Sequence, residues 1–195
     1  MRQRTNTDLA ADSQHQAAAT DQVDICSYYA DTFFWLQQYD TVLWHDPPAQ
    51  PGGELPSLPT ARKALATLKT RLIAKGEADE HFANERGNGL AVIFAALQQK
   101  VFDEPAYPTV ESKAAHLLYF IVKDYPFTDG NKRSAAFLFV DFLKRNQRLL
   151  NHEGQPCITN TGLAALTLLI AESKACQKHT IIQLIMHMLA VKHTD

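Results

Sequence analysis

In "SAAFLFVDFLKRN" apolar residues occupy nearly every side of a helical stretch from Ala135 to Leu143. A helix apolar all round is packed on all sides rather than laid on a surface. The rest of the chain must therefore supply helices to surround it, and the sequence carries several. "TVESKAAHLLYFIVKD" just upstream reads as a mostly buried helix with Thr109 as N-cap and Glu111 in its first turn. "TARKALATLKTRLIAKG" places Leu65, Leu68 and Leu72 at spacings of three and four and stops at Gly76. A third helix is expected over about 79–99, with "GLAVIFAALQQ" as its apolar half, and two more over about 161–175 and 179–192. Near the amino terminus, Ile25, Tyr29, Phe33 and Leu36, thickened by Tyr28, Phe34 and Trp35, predict a helix that adds to the core.

Two stretches break the pattern. Residues 45–60 hold five prolines and two adjacent glycines, which neither a helix nor a central strand tolerates. "KVFDEPAYPT" has two prolines and alternating apolar residues, which suggests a short extended excursion or hairpin. The class is therefore all-α. At 195 residues and 46% hydrophobic content, one domain over 21–195 with its own core is expected, preceded by a polar tail over 1–20.

Charge and cysteine use exclude several functions. Lys and Arg total 19 against 21 Asp and Glu, so no global basic field draws nucleic acid or an anionic membrane. Cys26, Cys157 and Cys176 form no CxxC pair, which argues against zinc or a disulfide framework and suits a reducing cytoplasm. No stretch has the length of a signal-peptide core or a membrane span.

Between the two apolar helices lies "DYPFTDGNKRSA", residues 124–135. Pro126 ends the first helix and should push Tyr125 into an extended conformation. The second helix then begins at Gly130–Asn131, offering free N–H groups and the positive end of its dipole to an anion. Gly130 permits close approach of a phosphate, Lys132 and Arg133 add positive donors, and Asp129 is placed to hold Mg²⁺ beside bound phosphates. The alternative on spacing alone is a capped helix end with both cations in solvent.

"YPFTDGNKR" resembles the signature of the Fic family, His-Pro-Phe-x-(Asp/Glu)-Gly-Asn-Gly-Arg-x-x-Arg, and that of its relative Doc, which has Asn-Lys-Arg in the middle. The wider stretch from Phe82 to Asn146 is similar to the Fic domains of RhuM-type virulence proteins. The resemblance implies a Fic-like helical bundle with a β-hairpin flap and a Mg²⁺-dependent transfer of AMP from ATP, or of another nucleoside monophosphate, to a hydroxyl of a target protein. By position, Tyr125 stands where the histidine takes the target's proton, Asp129 where the metal binds, and Gly130, Asn131 and Arg133 where phosphates bind. "KVFDEPAYP" lies where the flap would dock the target by strand addition, through Val101, Phe102 and Tyr107.

Three departures qualify the likeness: tyrosine replaces the histidine, Lys132 the second glycine, and Ala136 the last arginine. The lysine goes with the Doc-like alternative, transfer of a γ-phosphate. A third reading is a silent module that binds nucleotide or a partner without chemistry. An ordinary phenol titrates near 10, about 3 units from a half-ionised base at neutral pH, and neighbouring cations offset part of that. The phenol can instead orient the target, donate a hydrogen bond or accept the nucleotide itself.

No other residue obviously replaces the base. His116, nine positions earlier, falls about half a turn out of phase and reads as a satisfied core or boundary histidine. His45 and His152 are unassigned loop residues, Lys123 and Asp124 read as solvated helix-end charges, and Arg86 with Gly87 and Gly89 reads as a helix interruption. No inhibitory (Ser/Thr)-x-x-x-Glu-(Gly/Asn) helix is found, so control falls to a separate inhibitory protein or to none.

Overall fold

A computed structural model describes residues 30–41, 45–151 and 153–190, which fall in two units, Met1–His45 and Asp46–Asp195. The expected tail over 1–20, Ile25, Tyr28 and Tyr29, His152 and the last residues of the final helix lie outside the described residues.

In the first unit, helix α1 spans Ala30–Asp40. Its Phe33, Phe34, Leu36 and Tyr39 are 53 to 57% exposed, so no described residue of this unit covers that stripe. Helical spacing identifies a face that could be buried and says nothing about whether anything covers it.

The second unit is mostly helical, with six α-helices and one two-stranded hairpin, making seven helices in all among the described residues. Helix α2, Leu58–Ala74, starts at Ser57, whose Oγ accepts from the Thr60 N–H at 3.3 Å, and carries Pro59 in its first turn. It ends at Gly76, whose φ of 71° is the left-handed value that stops a helix. Helix α3 is shorter than its sequence suggests: it spans Gly89–Gln98, and residues 79–88 form turns. Gly87 (φ 57°) and Ala83 (φ 54°) are left-handed, and the backbone of 82–86 pairs instead with residues 126–129. That pairing with a distant segment replaces the helical hydrogen bonds, and spacing within 79–99 cannot reveal it.

The hairpin forms where expected. Strands β1, Lys100–Val101, and β2, Glu104–Pro105, are antiparallel, joined by Phe102 and Asp103 with φ of 51° and 67°. A two-residue turn with both φ positive matches the twist of its strands.

Helices α4, Val110–Asp124, and α5, Asn131–Arg145, pack together at the centre. Thr109 caps α4, its Oγ1 accepting from the Ser112 N–H at 3.1 Å, as the sequence indicates. Leu117, Leu118 and Ile121 of α4 meet a core that includes Leu138, Phe139, Phe142 and Leu143 of α5, all at most 2% exposed. Burying one such side chain contributes about 1.5 to 3 kcal/mol. Helix α6, Asn160–Glu172, a 3₁₀ turn, Ala175–Gln177, and helix α7, Lys178–Leu189, close the bundle. Inside it Glu111, fully buried, is compensated by an ion pair with Arg148 and by the Gln50 N–H at 2.8 Å. No helix among the described residues is long and apolar enough to cross a membrane.

Candidate active site

The site is built in the six residues between α4 and α5. Tyr125 caps α4 with φ 49° and ψ 56°, a left-handed conformation, and not the extended one its following proline suggests. One left-handed residue reverses the chain at the end of a helix, and that geometric demand overrides the local preference. A non-glycine residue held there costs on the order of 1 to 3 kcal/mol, which the surrounding contacts must offset. The result leaves the Tyr125 side chain 45% exposed.

What holds the loop is the pairing with 82–86. The Pro126 carbonyl accepts from the Arg86 N–H at 2.7 Å, the Asn84 carbonyl from the Thr128 N–H at 2.8 Å, and the Asp129 carbonyl from the Ala83 N–H at 3.0 Å. Phe127 is buried as an anchor at 1% exposure. Asn131 clamps it: its Oδ1 accepts from the Phe127 N–H and its Nδ2 donates to the Phe127 carbonyl, both at 2.9 Å. The Asn131 amide is thus engaged with the loop, leaving its main-chain N–H for a ligand.

Gly130 has two reasons to be glycine. Its φ is 74°, and a Cβ there would lie 2.3 Å from the ring of fully buried Phe82. The sequence suggests close approach of a phosphate at this glycine; the close neighbour in the fold is Phe82.

The loop opens on a cavity of about 440 Å³ lined by Tyr125, residues 128–133 and Arg86. No side chain caps α5, so its first-turn N–H groups and dipole remain available at the cavity. Arg133 donates from Nη1 to the Glu77 carbonyl at 2.7 Å, stands 3.4 Å from Asp129 Oδ2, and places its guanidinium 4.7 Å from the Phe82 ring centroid. Lys132 and Arg86 line the same cavity without an ion pair among the described residues. Tyr125, Asp129, Gly130, Asn131, Lys132 and Arg133 therefore surround one space.

Residues 59–143 match the Fic/DOC family model. The matched span runs from the first turn of α2 almost to the end of α5 and includes the hairpin, the 82–86 segment and the cavity. The Fic/DOC family is one of protein-modifying transferases. Neither a curated protein nor a solved structure matches the chain.

Within the matched span the expected flap residues are divided. Val101 and Phe102 are 52 and 98% exposed on the hairpin, whereas Tyr107 lies beyond β2, its ring centroid 4.2 Å from His116 and 6.3 Å from Phe120. Desolvation raises the Tyr107 phenol above its ordinary pKa. His116 lines a different cavity, and no histidine lines that of Tyr125 among the described residues. Burial lowers the His116 pKa to about 4, reinforced by the Lys178 charge, against the raising effect of its bond to Ser112. Its Nδ1 donates to the Ser112 carbonyl at 2.8 Å, which makes it the satisfied histidine its position suggests. Lys123 is engaged with the Ala171 and Ser173 carbonyls rather than solvated.

The helix interruption at Gly87 and Gly89 holds, but the sequence reading missed its consequence. Gly89 packs on Pro126, where a Cβ would meet Pro126 Cβ at 2.8 Å, and the neighbouring Arg86 enters the cavity. Thr128 and Phe82 were also unread as parts of the site. The only local signal was the glycine pair; forty residues separate Arg86 from the motif, so no spacing rule joins them.

Asp129 suits Mg²⁺ in one respect. No three His, Cys, Asp or Glu side chains converge to hold a metal among the described residues, but Mg²⁺ characteristically takes one or two carboxylates and completes its shell with water and substrate phosphates. Asp129, 55% exposed on the cavity, offers such a carboxylate.

Proposed function

We propose that the Fic/DOC domain, of the RhuM-type branch its sequence resembles, is a Mg²⁺-dependent nucleotidyltransferase. It transfers a nucleoside monophosphate, from ATP in the first instance, to a hydroxyl of a cytoplasmic target protein. The observation that carries the reading is the uncapped start of α5 opening on a cavity with Arg86, Lys132, Arg133 and Asp129 around it and Tyr125 at its edge.

The residues divide the work. The α5 N–H groups and Lys132 bind the phosphates and stabilise charge as the target oxygen bonds to the α-phosphorus and the bond to the departing pyrophosphate breaks. Arg133 turns from Asp129 and Glu77 toward the same oxygens. Asn131 positions the loop by holding Phe127. Asp129 would hold Mg²⁺, which would supply charge neutralisation at the phosphates. The Tyr125 phenol oxygen handles the target's proton. The target segment adds to the exposed hairpin edge, with Val101 and Phe102 available for contact. Control falls to a separate inhibitory protein or to none, since Ala136 leaves no terminal arginine for an internal inhibitory glutamate.

Lys132 favours a second reading, Doc-like transfer of the γ-phosphate, and a silent nucleotide-binding module is the third. Incubation with cell extract, Mg²⁺ and each of the four nucleoside triphosphates labelled at the α- or γ-phosphate separates them. Protein-bound α-label is expected; γ-label alone identifies a kinase, and neither label identifies the silent module.

A further inference from the structure

We infer that Arg86 is the specificity residue for the outer phosphates, the element by which this site takes a nucleoside triphosphate rather than a monophosphate. The inference rests on the nucleotide reading above and adds to it a residue outside the motif. The cavity's cations are not equivalent. Arg133 is held by three partners: the Glu77 carbonyl, Asp129 and the face of Phe82. Arg86 is held by its main chain, not by its guanidinium. Its N–H donates to the Pro126 carbonyl at 2.7 Å, while its side chain makes one long contact, Nη2 to the Thr128 carbonyl at 3.4 Å.

A fixed backbone with an unpaired, exposed guanidinium at the cavity wall is suited to capture an anion, because little competes with the ligand and little main chain must be ordered. Glu85 next to it does not neutralise it, since that carboxylate is bound by Arg62 Nε at 2.8 Å and by the Leu90 N–H at 3.1 Å. Those bonds, the Arg62 one foremost, hold the Glu85 carboxyl below its ordinary pKa and so keep it committed to them. The planar fork of Arg86 reaches the cavity from the 82–89 segment, a different segment from the helix start that binds the inner phosphates. It thereby supplies a cation that the α5 sequence, with Ala136 one turn into the helix, does not.

The test is direct binding, with Mg²⁺, of the four nucleoside triphosphates and the four monophosphates to the full chain and to Arg86→Gln and Arg86→Lys. Thermal melts establish that both variants fold. The triphosphate is expected to bind the wild type more tightly than the monophosphate. Arg86→Gln is expected to weaken the triphosphate on the order of tenfold and the monophosphate less than about twofold, with partial recovery in Arg86→Lys. Equal weakening of both ligands, or no change in either, overturns the inference alone. A wild type that binds none of the eight overturns the nucleotide reading and this inference with it.

Discussion

Two cavities on the same fold differ in an instructive way. The larger, about 810 Å³, lies between the start of α4 and α7 and contains His116, Lys178, His179 and Cys176. The smaller, about 440 Å³, contains the motif. By size and by the presence of histidines the first would be the site of choice. His116, however, is packed on Tyr107, hydrogen-bonded to Ser112 and held neutral, while Lys178 lies over the Phe120 ring at 4.6 Å. The smaller cavity has a strained Tyr125, an uncapped helix and unpaired cations. Chemistry is better located by groups left without partners than by volume, because a polar group already satisfied has to break a bond before it can serve a ligand.

The strongest way to break that contrast is to exchange the roles of its two rings. Tyr125→Phe should reduce transfer by roughly 10² to 10⁴-fold, the range for a lost proton-transfer group, while nucleotide affinity survives. His116→Gln should leave transfer within about twofold. Initial rates and equilibrium binding on both variants check this, and the reverse pattern would move the catalytic centre to the larger cavity.

Next in size is the support of the smaller cavity. Gly130→Ala drives a Cβ into Phe82, which is fully buried and has no solvent to move into, and does so at a left-handed φ. A loss of about 3 kcal/mol or more in stability is expected from urea unfolding. Gly154→Ala, left-handed but with open space around it, should cost only about 1 kcal/mol. Similar losses at the two glycines would remove Phe82 as the reason for Gly130.

The smallest effect at neutral pH sharpens the larger cavity's side of the contrast. Because the folded pKa of His116 is lowered to about 4 from 6.5, the unfolded chain binds the proton first as pH falls. Its contribution to stability is therefore complete above about 6.5, declines as pH drops toward 4, and levels below that, a change on the order of 3 kcal/mol. Unfolding midpoints between pH 7 and 4 should fall less steeply in His116→Gln than in the wild type. Equal slopes would show that the ring is not held neutral by its surroundings.

Much of the fold was legible because its causes are local. Thr109 and Ser57 cap helices through their own next turn, Gly76 stops one, and the all-round apolar run from Ala135 marks the central helix. Half of the site was legible for the same reason, since Asp129, Gly130, Lys132 and Arg133 are consecutive or nearly so at a helix start. Two local readings failed: the helix over 79–99, whose first half pairs instead with 126–129, and the extended Tyr125, which is left-handed where the chain reverses at the end of α4.

The order of residues thus settles most of the helices, the hairpin and the positive dipole end at the α5 start, all set by periodicity, capping and chain direction. Tertiary folding settles the rest, by bringing 82–86 alongside 126–129. That pairing puts Phe82 against Gly130 and brings Arg86 to the cavity wall. Backbone hydrogen bonds across forty residues depend on which segments the core brings together, and no neighbour in the chain encodes them.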